Sequence, residues 1–522
     1  MTLAATPSIE DEIRERHLFH LLVERFSLHA DRVALDDGER ELTYGELANE
    51  VDVIASELLR RGLAPGDRVA MLADPSNEFV ISYLAATSIG CVWMGLNPKY
   101  TERELSFILE DADPALILVR GAAEEWSEAI AYPQFRSTAG RGEVLAGELE
   151  HRRQELAPGD PAMIIYTSGS TGAPKGAFVS AAALARIGAV QSKRWALEAP
   201  SFICNLPINH IGCVGDLVTV ALYAGGRIRF MEHFDPAAMI DIIREERITG
   251  LFQIPTQLIR ISELPGFDAH AVKSIELVGW GGAALPIRYI KKFRQLGIRM
   301  KTVYGSTETV ASVTYSPETA TDEQLANTVG LPDPDLDVRL LPQREDATGA
   351  DAVPTGVEGE VCIRHWTTLP SYRGNEEATR AAYTSDGYLR TGDVGVIRPD
   401  GMLQLVGRTK DMFKSGGYNV YPREIELVME GHPAVVATAV VPVSHPEYSE
   451  VGAAFIETDA GAEMNPEMEA ELRATCRAGL ANYKIPKTFH FIHEMPVLAN
   501  GKIDKVALRG LAAELTRGVH HE

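Results

Sequence analysis

The chain has 522 residues, of which 45% are hydrophobic and 24% charged, and a formal net charge of -23. That length holds about three to four domain-sized units with room for a large core, and the composition is that of a soluble globular protein. The acidic excess excludes bulk attraction to nucleic acid or to an anionic membrane, so any phosphate site has to be basic locally.

Residues 1–26 carry charges of both signs and no apolar leader core, so a secretory signal is not expected. Apolar spacing predicts a helix over 47–61, ended by Gly62, with Pro65-Gly66-Asp67 turning into a strand over 68–72. Residues 79–96 are uncharged but interrupted by Ser82, Thr87, Ser88 and Gly90, so a buried helix running into a core strand is expected rather than a membrane span. The run 162–165 reads as a strand, 237–246 as a helix followed by a strand over 248–254, and 273–278 and 300–303 as strands around a helix over 286–295. This alternation predicts an α/β fold with largely parallel sheets flanked by helices.

Beyond about residue 330, short alternating runs at 338–341, 359–363 and 401–406 predict a β-rich subdomain. A compact α+β pattern then follows, with a helix over 423–431, strands over 435–441 and 451–457, and a helix over 466–479. The expected division is a large domain over 1–408, its β-rich part about 330–408, and a small mobile domain over 411–522 hinged near Lys410. Five cysteines, Cys91, Cys204, Cys213, Cys362 and Cys476, form no C-x-x-C pair, which points to a reducing compartment, the cytoplasm, and away from structural zinc.

The densest chemistry lies in Tyr166-Thr-Ser-Gly-Ser-Thr-Gly-Ala-Pro-Lys-Gly176. Glycines let backbone N–H groups close on an anion, hydroxyls add donors, and Lys175 adds a mobile positive charge, so the loop reads as a phosphate grip. A Walker P-loop is excluded because Pro174 and Gly176 replace its second glycine and its Ser/Thr. In Val303-Tyr-Gly-Ser-Thr-Glu-Thr309, Glu308 beside such a loop makes sense if it binds Mg²⁺ between phosphates; alone, it also reads as an exposed loop glutamate. Gly279-Trp-Gly-Gly-Ala-Ala-Leu285 scores as G-x-G-x-x-A, which leaves a dinucleotide-dependent oxidoreductase as another reading, although Trp280 would crowd a pyrophosphate. Asp393 in Arg390-Thr-Gly-Asp393 can accept two hydroxyl hydrogen bonds, as a ribose diol requires, or simply close a turn. No G-x-S-x-G elbow and no H-E-x-x-H pair occurs, so a serine hydrolase or zinc protease is not expected.

In this order the segments resemble the adenylate-forming superfamily of acyl-CoA synthetases, peptide-synthetase adenylation domains and firefly-type luciferases, most of all the acyl-CoA synthetases, over nearly the whole chain. The resemblance implies that Thr167, Ser168, Gly169, Ser170, Thr171, Gly172 and Lys175 hold ATP phosphates, with Thr171 and Glu308 at Mg²⁺. It implies that Tyr304 stacks on adenine within Tyr304-Gly305-Ser306-Thr307, that Gly282, Ala283 and Ala284 line the nucleotide edge, and that Asp393 and Arg408 take the ribose and phosphate. Lys414 and Asn419 match positions that contact the acyl phosphate in plant phenylpropanoid ligases, Ser415, Gly416 and Gly417 would pass beside the pantetheine of CoA, and Lys410 is the hinge.

Lys502, in Pro496-Val-Leu-Ala-Asn-Gly-Lys-Ile-Asp-Lys505, takes the part of the lysine that meets the α-phosphate, although Leu498 and Ala499 depart from the family's usual threonine nearby. His210 fits the gate beside the carboxylate, with Ile211, Trp280, Gly281 and Ala311 toward the acid. Amino-acid-activating relatives carry Asp where Ile211 stands, so an ammonium would be buried unpaired. Small residues here favour an apolar aryl, alicyclic or medium-chain acid. The expectation is thus an ATP-, Mg²⁺- and CoA-dependent acid–thiol ligase that binds a small carboxylic acid, with no nucleic acid and no membrane span, open to pairing as a homodimer. Transfer to a carrier protein or an amine is the alternative outcome of the same adenylation.

Overall fold

The structure, a computed structural model, describes residues 9–121, 129–168, 174–196, 198–458, 465–498 and 503–518. The chain divides into two compact units. Met1–Leu285, Tyr289–Val338 and Ile363–Thr391 form the first, and Pro286–Arg288, Arg339–Cys362 and Gly392–Glu522 form the second.

Two sheets build the first unit. One runs Ile130–Ala131, Leu116–Val119, Arg68–Leu72, Val92–Leu96, Pro161–Ser168, Pro174–Ser180, parallel except for the last pair. The other has nine strands. Its centre, Val33–Asp36, Arg227–Phe230, Ser201–Cys204, Gly250–Gln253, Leu277–Trp280 and Arg299–Ser306, is parallel, and antiparallel strands close both edges. Parallel strands need crossover helices, which cover both faces and make the strands apolar throughout. Val92–Leu96 is accordingly buried at every position.

The expected helix over 47–61 is Tyr44–Arg60, opened by a capping box in which Thr43 and Glu46 exchange hydrogen bonds. Residues 79–96 do form a buried helix, Asn77–Thr87, leading into a core strand, and no helix among the described residues is long and apolar enough to cross a membrane. Ser82, Thr87 and Ser88 return their hydroxyls to backbone carbonyls of their own helix, which is how that helix buries polar residues. The strand expected over 273–278 begins only at Leu277, because 268–274 form turns, with Asp268 accepting from the N–H groups of His270 and Ala271.

The second unit contains part of a four-stranded sheet, whose strands Leu389–Ile397 and Leu403–Arg408 pair antiparallel, and an α+β sheet. In the latter, Val435–His445 and Ser449–Thr458 pair antiparallel, and Thr488–Ile492 joins parallel. Alternation splits them cleanly. Val440, Ala454 and Ile456 pack with Ile425, Met429, Leu472 and Cys476 of Pro422–Glu430 and Pro466–Gly479, whereas Ala439, Val441, Ala453 and Phe455 pack with Leu508 and Ala512 of Lys505–Gly518. All five cysteines are buried free thiols.

One contact joins the two sheets of the first unit close to His210. A Cβ built on Gly95 would lie 2.5 Å from the Ile208 carbonyl oxygen and 2.7 Å from its carbon. The obstacle is backbone, so it cannot swing aside. Gly95→Ala is expected to cost about 1–3 kcal/mol, read as a lower urea midpoint at unchanged slope; an unaltered midpoint would show that the 207–210 turn yields freely.

Candidate active site

The strands that flank the Gly-rich segment pair with each other. Pro161–Ser168 pairs antiparallel with Pro174–Ser180, and Thr167 stands opposite Lys175. The expected strand is present, but its exit is a second strand, so Lys175 sits in a sheet instead of opening a helix. Gly169, Ser170, Thr171 and Gly172 lie outside the described residues, as does Lys502. The hairpin's outer edge is not left open. Phe178 N–H donates to Ser371 O at 3.1 Å and Arg373 N–H to Gly176 O at 2.7 Å, so 371–373 straps onto it. Within the strap, Tyr372 N–H donates to Thr379 Oγ1 at 2.9 Å.

Glu308 tips a second hairpin, Arg299–Ser306 with Ala311–Tyr315. Reciprocal bonds fix the turn: Ser306 N–H donates to Thr309 Oγ1 at 2.8 Å, Thr309 N–H donates to Ser306 Oγ at 3.2 Å, and Val310 takes a φ of 54°. The two hairpins meet at one atom. Glu308 Oε1 accepts from Thr167 Oγ1 at 3.2 Å and from Tyr372 OH at 3.1 Å. Lys175 Nζ lies 5.4 Å from the Tyr372 ring centroid, a cation–π distance. Burial, reinforced by the negative Glu308, raises the Tyr372 hydroxyl well above its ordinary value and keeps it a donor.

A carboxylate among hydroxyl oxygens is a hard-oxygen set that suits Mg²⁺. Among the described residues no group of three or more His, Cys, Asp or Glu could hold a metal by itself. The ion therefore fits here only with phosphate oxygens completing its shell.

Tyr304 is buried, with its N–H donating to Thr314 Oγ1 at 3.2 Å, Thr307 is buried, and Gly305 is exposed beside half-buried Ser306. Next to this strand, Leu277–Trp280 runs out into exposed Gly282 and Ala283 and half-buried Ala284, at the carboxyl end of the parallel strands where ligands of such sheets bind. Gly281 faces Val303 and Phe252. Trp280 does not share that face: it pairs in register with Gln253 and Thr302, whereas Gly279 pairs with Phe252, so the pleat turns the indole the other way. His210 Nδ1 accepts the Gly212 N–H at 3.0 Å, which leaves the proton of a neutral ring on Nε2, and the buried Ile211 follows. Ala311 opens its strand opposite Ser306.

In the second unit, Asp393 and Arg408 are register partners with a 2.9 Å ion pair from Nε to Oδ1. Lys410 lies exposed in the single turn Thr409–Asp411. Lys414 and Asn419 are also register partners, exposed on a two-residue hairpin with Ser415 buried at its base. Its corner, Gly416 and Gly417, has φ of 56° and 88°. Two left-handed residues make a type I′ turn, which side chains with a Cβ rarely adopt.

Sequence reasoning missed Tyr372 and Thr309, and also the stacking of Tyr418 on Tyr483 at 4.4 Å beside the Gly416-Gly417 corner. It also missed Gln191 and Asp216, buried polar residues on two π-helical stretches, Ile187–Gln191 and Gly212–Thr219. Only the exposed aromatics had a signal to follow, their nearness in sequence to the glycine pair and to Lys484; the others become neighbours only through the fold.

Residues 22–373 match the family described as AMP-binding enzyme, and residues 424–502 match the AMP-binding enzyme C-terminal domain. A feruloyl-CoA synthase from Amycolatopsis sp is 31% identical over 493 residues, covering 93% of this chain and 96% of that protein. An indoleacetate–CoA ligase from Aromatoleum aromaticum is 30% identical over 503 residues, covering 94% and 97%. The crystal structure of ATP-bound MatB from Rhodopseudomonas palustris superposes with a TM-score of 0.81 at 28% identity, covering 95% of this chain and 99% of that one. The chain belongs to the AMP-binding enzymes, the adenylate-forming superfamily its motifs resemble, and within it to the AMP-forming acid–thiol ligases. Enzymes of this class work on ATP with Mg²⁺ and coenzyme A.

Burial raises the Asp216 carboxyl from 3.8 to about 7, against the smaller opposing pull of the Gln191 and Ser312 side chains. The unfolded chain releases this proton near 3.8 and the folded chain holds it to about 7, so this group's contribution to stability falls as pH rises through that window. Asp216→Asn removes the penalty. Urea midpoints measured at steps from pH 4 to pH 7 are expected to move in the variant's favour relative to the parent; a constant difference would contradict the assignment.

Proposed function

We propose that this chain is an ATP-dependent carboxylic acid:CoA ligase that forms an acyl-adenylate and then an acyl-CoA thioester, acting on an aryl, alicyclic or medium-chain acid with a largely apolar body. The convergence of Thr167, Lys175, Glu308 and Tyr372 on one spot carries this reading. An acidic side chain set among hydroxyls and a lysine cation is what a phosphate–metal site needs and what a dinucleotide fold does not. The relatives supply the acid class by likeness: feruloyl and indoleacetate groups are both aromatic.

In this reading the Gly-rich hairpin binds the β- and γ-phosphates through backbone N–H groups, hydroxyls and Lys175. Glu308 and Thr171 hold Mg²⁺, which when bound offsets phosphate charge. Tyr304 and the 282–284 turn take the adenine, and Asp393 with Arg408 takes the ribose. The 393–408 ion pair pre-orients both side chains toward the ribose. His210, its tautomer set by the Gly212 N–H, orients the acid carboxylate from Nε2.

Lys502 meets the charge that builds on the α-phosphate as the carboxylate attacks, and Lys414 and Asn419 support the same group. The small domain then turns about Lys410 and presents Ser415, Gly416 and Gly417 to the thiol arm. Rate acceleration comes from positioning and charge stabilisation, with no covalent enzyme intermediate.

Glu308→Gln keeps an acceptor for Thr167 and Tyr372 but removes the charge. It should lower acid-dependent ATP–pyrophosphate exchange about 10²–10³-fold, and a variant retaining the parent rate would remove Glu308 from the site. Lys502→Ala should abolish adenylation yet spare thioester formation from supplied acyl-AMP, followed by mass detection of acyl-CoA. Equal loss of both half-reactions would refute that division of labour.

A further inference from the structure

Two helical stretches beside the proposed acid site are wound as π-helix, Ile187–Gln191 and Gly212–Thr219. Such turns are rare and cluster at functional sites, because the wider turn re-aims side chains that an α-helix would keep apart. The second begins two residues after His210. The stretches pack directly together: a Cβ on Gly215 would lie 3.0 Å from Ile187 Cδ1. Three polar side chains, Gln191, Asp216 and Ser312, lie on these two stretches and the Ala311–Tyr315 strand, with Ile187, Val190 and Leu217 buried on the same two helical stretches and Ile211 buried just before the second.

Gln191 is 0% exposed, and Asp216 and Ser312 are each 6% exposed. Ser312 Oγ reaches Asp216 Oδ1 at a long 3.4 Å. Gln191 lies against the Asp216 carboxyl, and among the described residues neither its Oε1 nor its Nε2 meets a partner at hydrogen-bond geometry. Most buried polar groups are hydrogen-bonded, and a buried amide left open at both ends is destabilising. The unmet donor and acceptor call for a ligand group that both accepts and donates.

The place of this cluster in the fold says which ligand. Ser312 stands opposite Gly305 in the hairpin that carries Tyr304 and Glu308, and its neighbour Ala311 stands opposite Ser306. Asp216 lies on the π-helical stretch that starts at Gly212, two residues after His210. In the ligase reading, an acid with its carboxylate at His210 and its body along this stretch reaches these residues.

We propose that Gln191, Asp216 and Ser312 form the far end of the acyl pocket and bind a hydroxyl carried by the acid away from its carboxylate. The assignment rests on the ligase reading above and narrows its substrate to a hydroxylated acid with an apolar body. A second carboxylate would oppose Asp216. An ammonium would need that carboxyl ionised, and burial holds its proton to about 7. A hydroxyl matches the carboxamide, the neutral carboxyl and the serine together.

The test uses the full chain with ATP, Mg²⁺ and CoA, and kcat/KM from pyrophosphate release for matched acids: para-hydroxycinnamate against cinnamate, para-hydroxybenzoate against benzoate, ω-hydroxyoctanoate against octanoate. At least one pair should favour the hydroxylated member by about tenfold or more. Gln191→Met, close in volume and apolar, should cut that ratio about tenfold, and Ser312→Ala, a smaller change to packing, about fivefold. Preference for the plain acid in every pair, or a ratio unmoved in both variants, overturns this assignment and leaves the ligase reading standing. Absence of pyrophosphate release with every acid overturns both.

Discussion

A half-buried carboxylate needs partners, and the first unit is organised around that need at Glu308. Its Oε1 collects one hydroxyl from the Gly-rich hairpin and one from the 371–373 strap, segments far apart in the chain. The Gly-rich hairpin of one sheet and the hairpin tip of the other thereby share one oxygen. Each hydroxyl is itself anchored, Thr167 by hairpin register with Lys175 and Tyr372 by Thr379 and the edge of Pro174–Ser180. Oε1 takes two protein donors, and in the proposed reading the other oxygen meets a cation arriving with a nucleotide.

Much of this was legible in the sequence, for physical reasons. Anion loops need glycine, hydroxyls and lysine close together, so the 166–176 segment declared itself. Parallel core strands are short apolar runs, so those over 68–72 and 300–303 declared themselves too. What stayed hidden depends on distant pairing. The exit from the phosphate loop is a strand that starts at Pro174, and proline at a strand's first position is a weak strand signal. Trp280 looked like a residue of the acid site because it lies next to Gly281, but strand neighbours point to opposite faces, and only the register with Gln253 and Thr302 shows which face it takes. The π-helical stretches left no trace at all. Their period is neither 3.6 nor 2, so apolar pattern matching passes over them, and Gln191, Asp216 and Ser312 become a cluster only in three dimensions.

The net charge of -23 sharpens the local electrostatics. Triphosphate approaching an acidic protein needs cations, yet no carboxylate or imidazole cluster able to hold a metal alone occurs among the described residues. Neutralisation has to come from a metal that travels with the nucleotide and from lysines that engage in turn. In the proposed reading Lys175 is one of these lysines: it lies over the Tyr372 ring, and among the described residues it is in no ion pair that a phosphate would have to break.

In the proposed reading, the hairpin formed by Arg299–Ser306 and Ala311–Tyr315 bears on nucleotide, metal and acid at once. Tyr304 lies on its outgoing strand, Glu308 at its tip, and Ala311 and Ser312 on its return, where Gly305 and Ser306 face them across the ladder. An acid seated against Ser312 thus presses on the residues that flank the turn holding Glu308. That turn resists the push because Ser306 and Thr309 bond to each other twice through backbone and hydroxyl, a closure that does not depend on side chains in the acid pocket. The reciprocal clamp lets residues at 311 and 312 vary with the acid while the carboxylate at the tip keeps its place. A fold that activates many different acids needs this separation between reading the acid and holding the metal, and here four hydrogen-bonding atoms in one tight turn provide it.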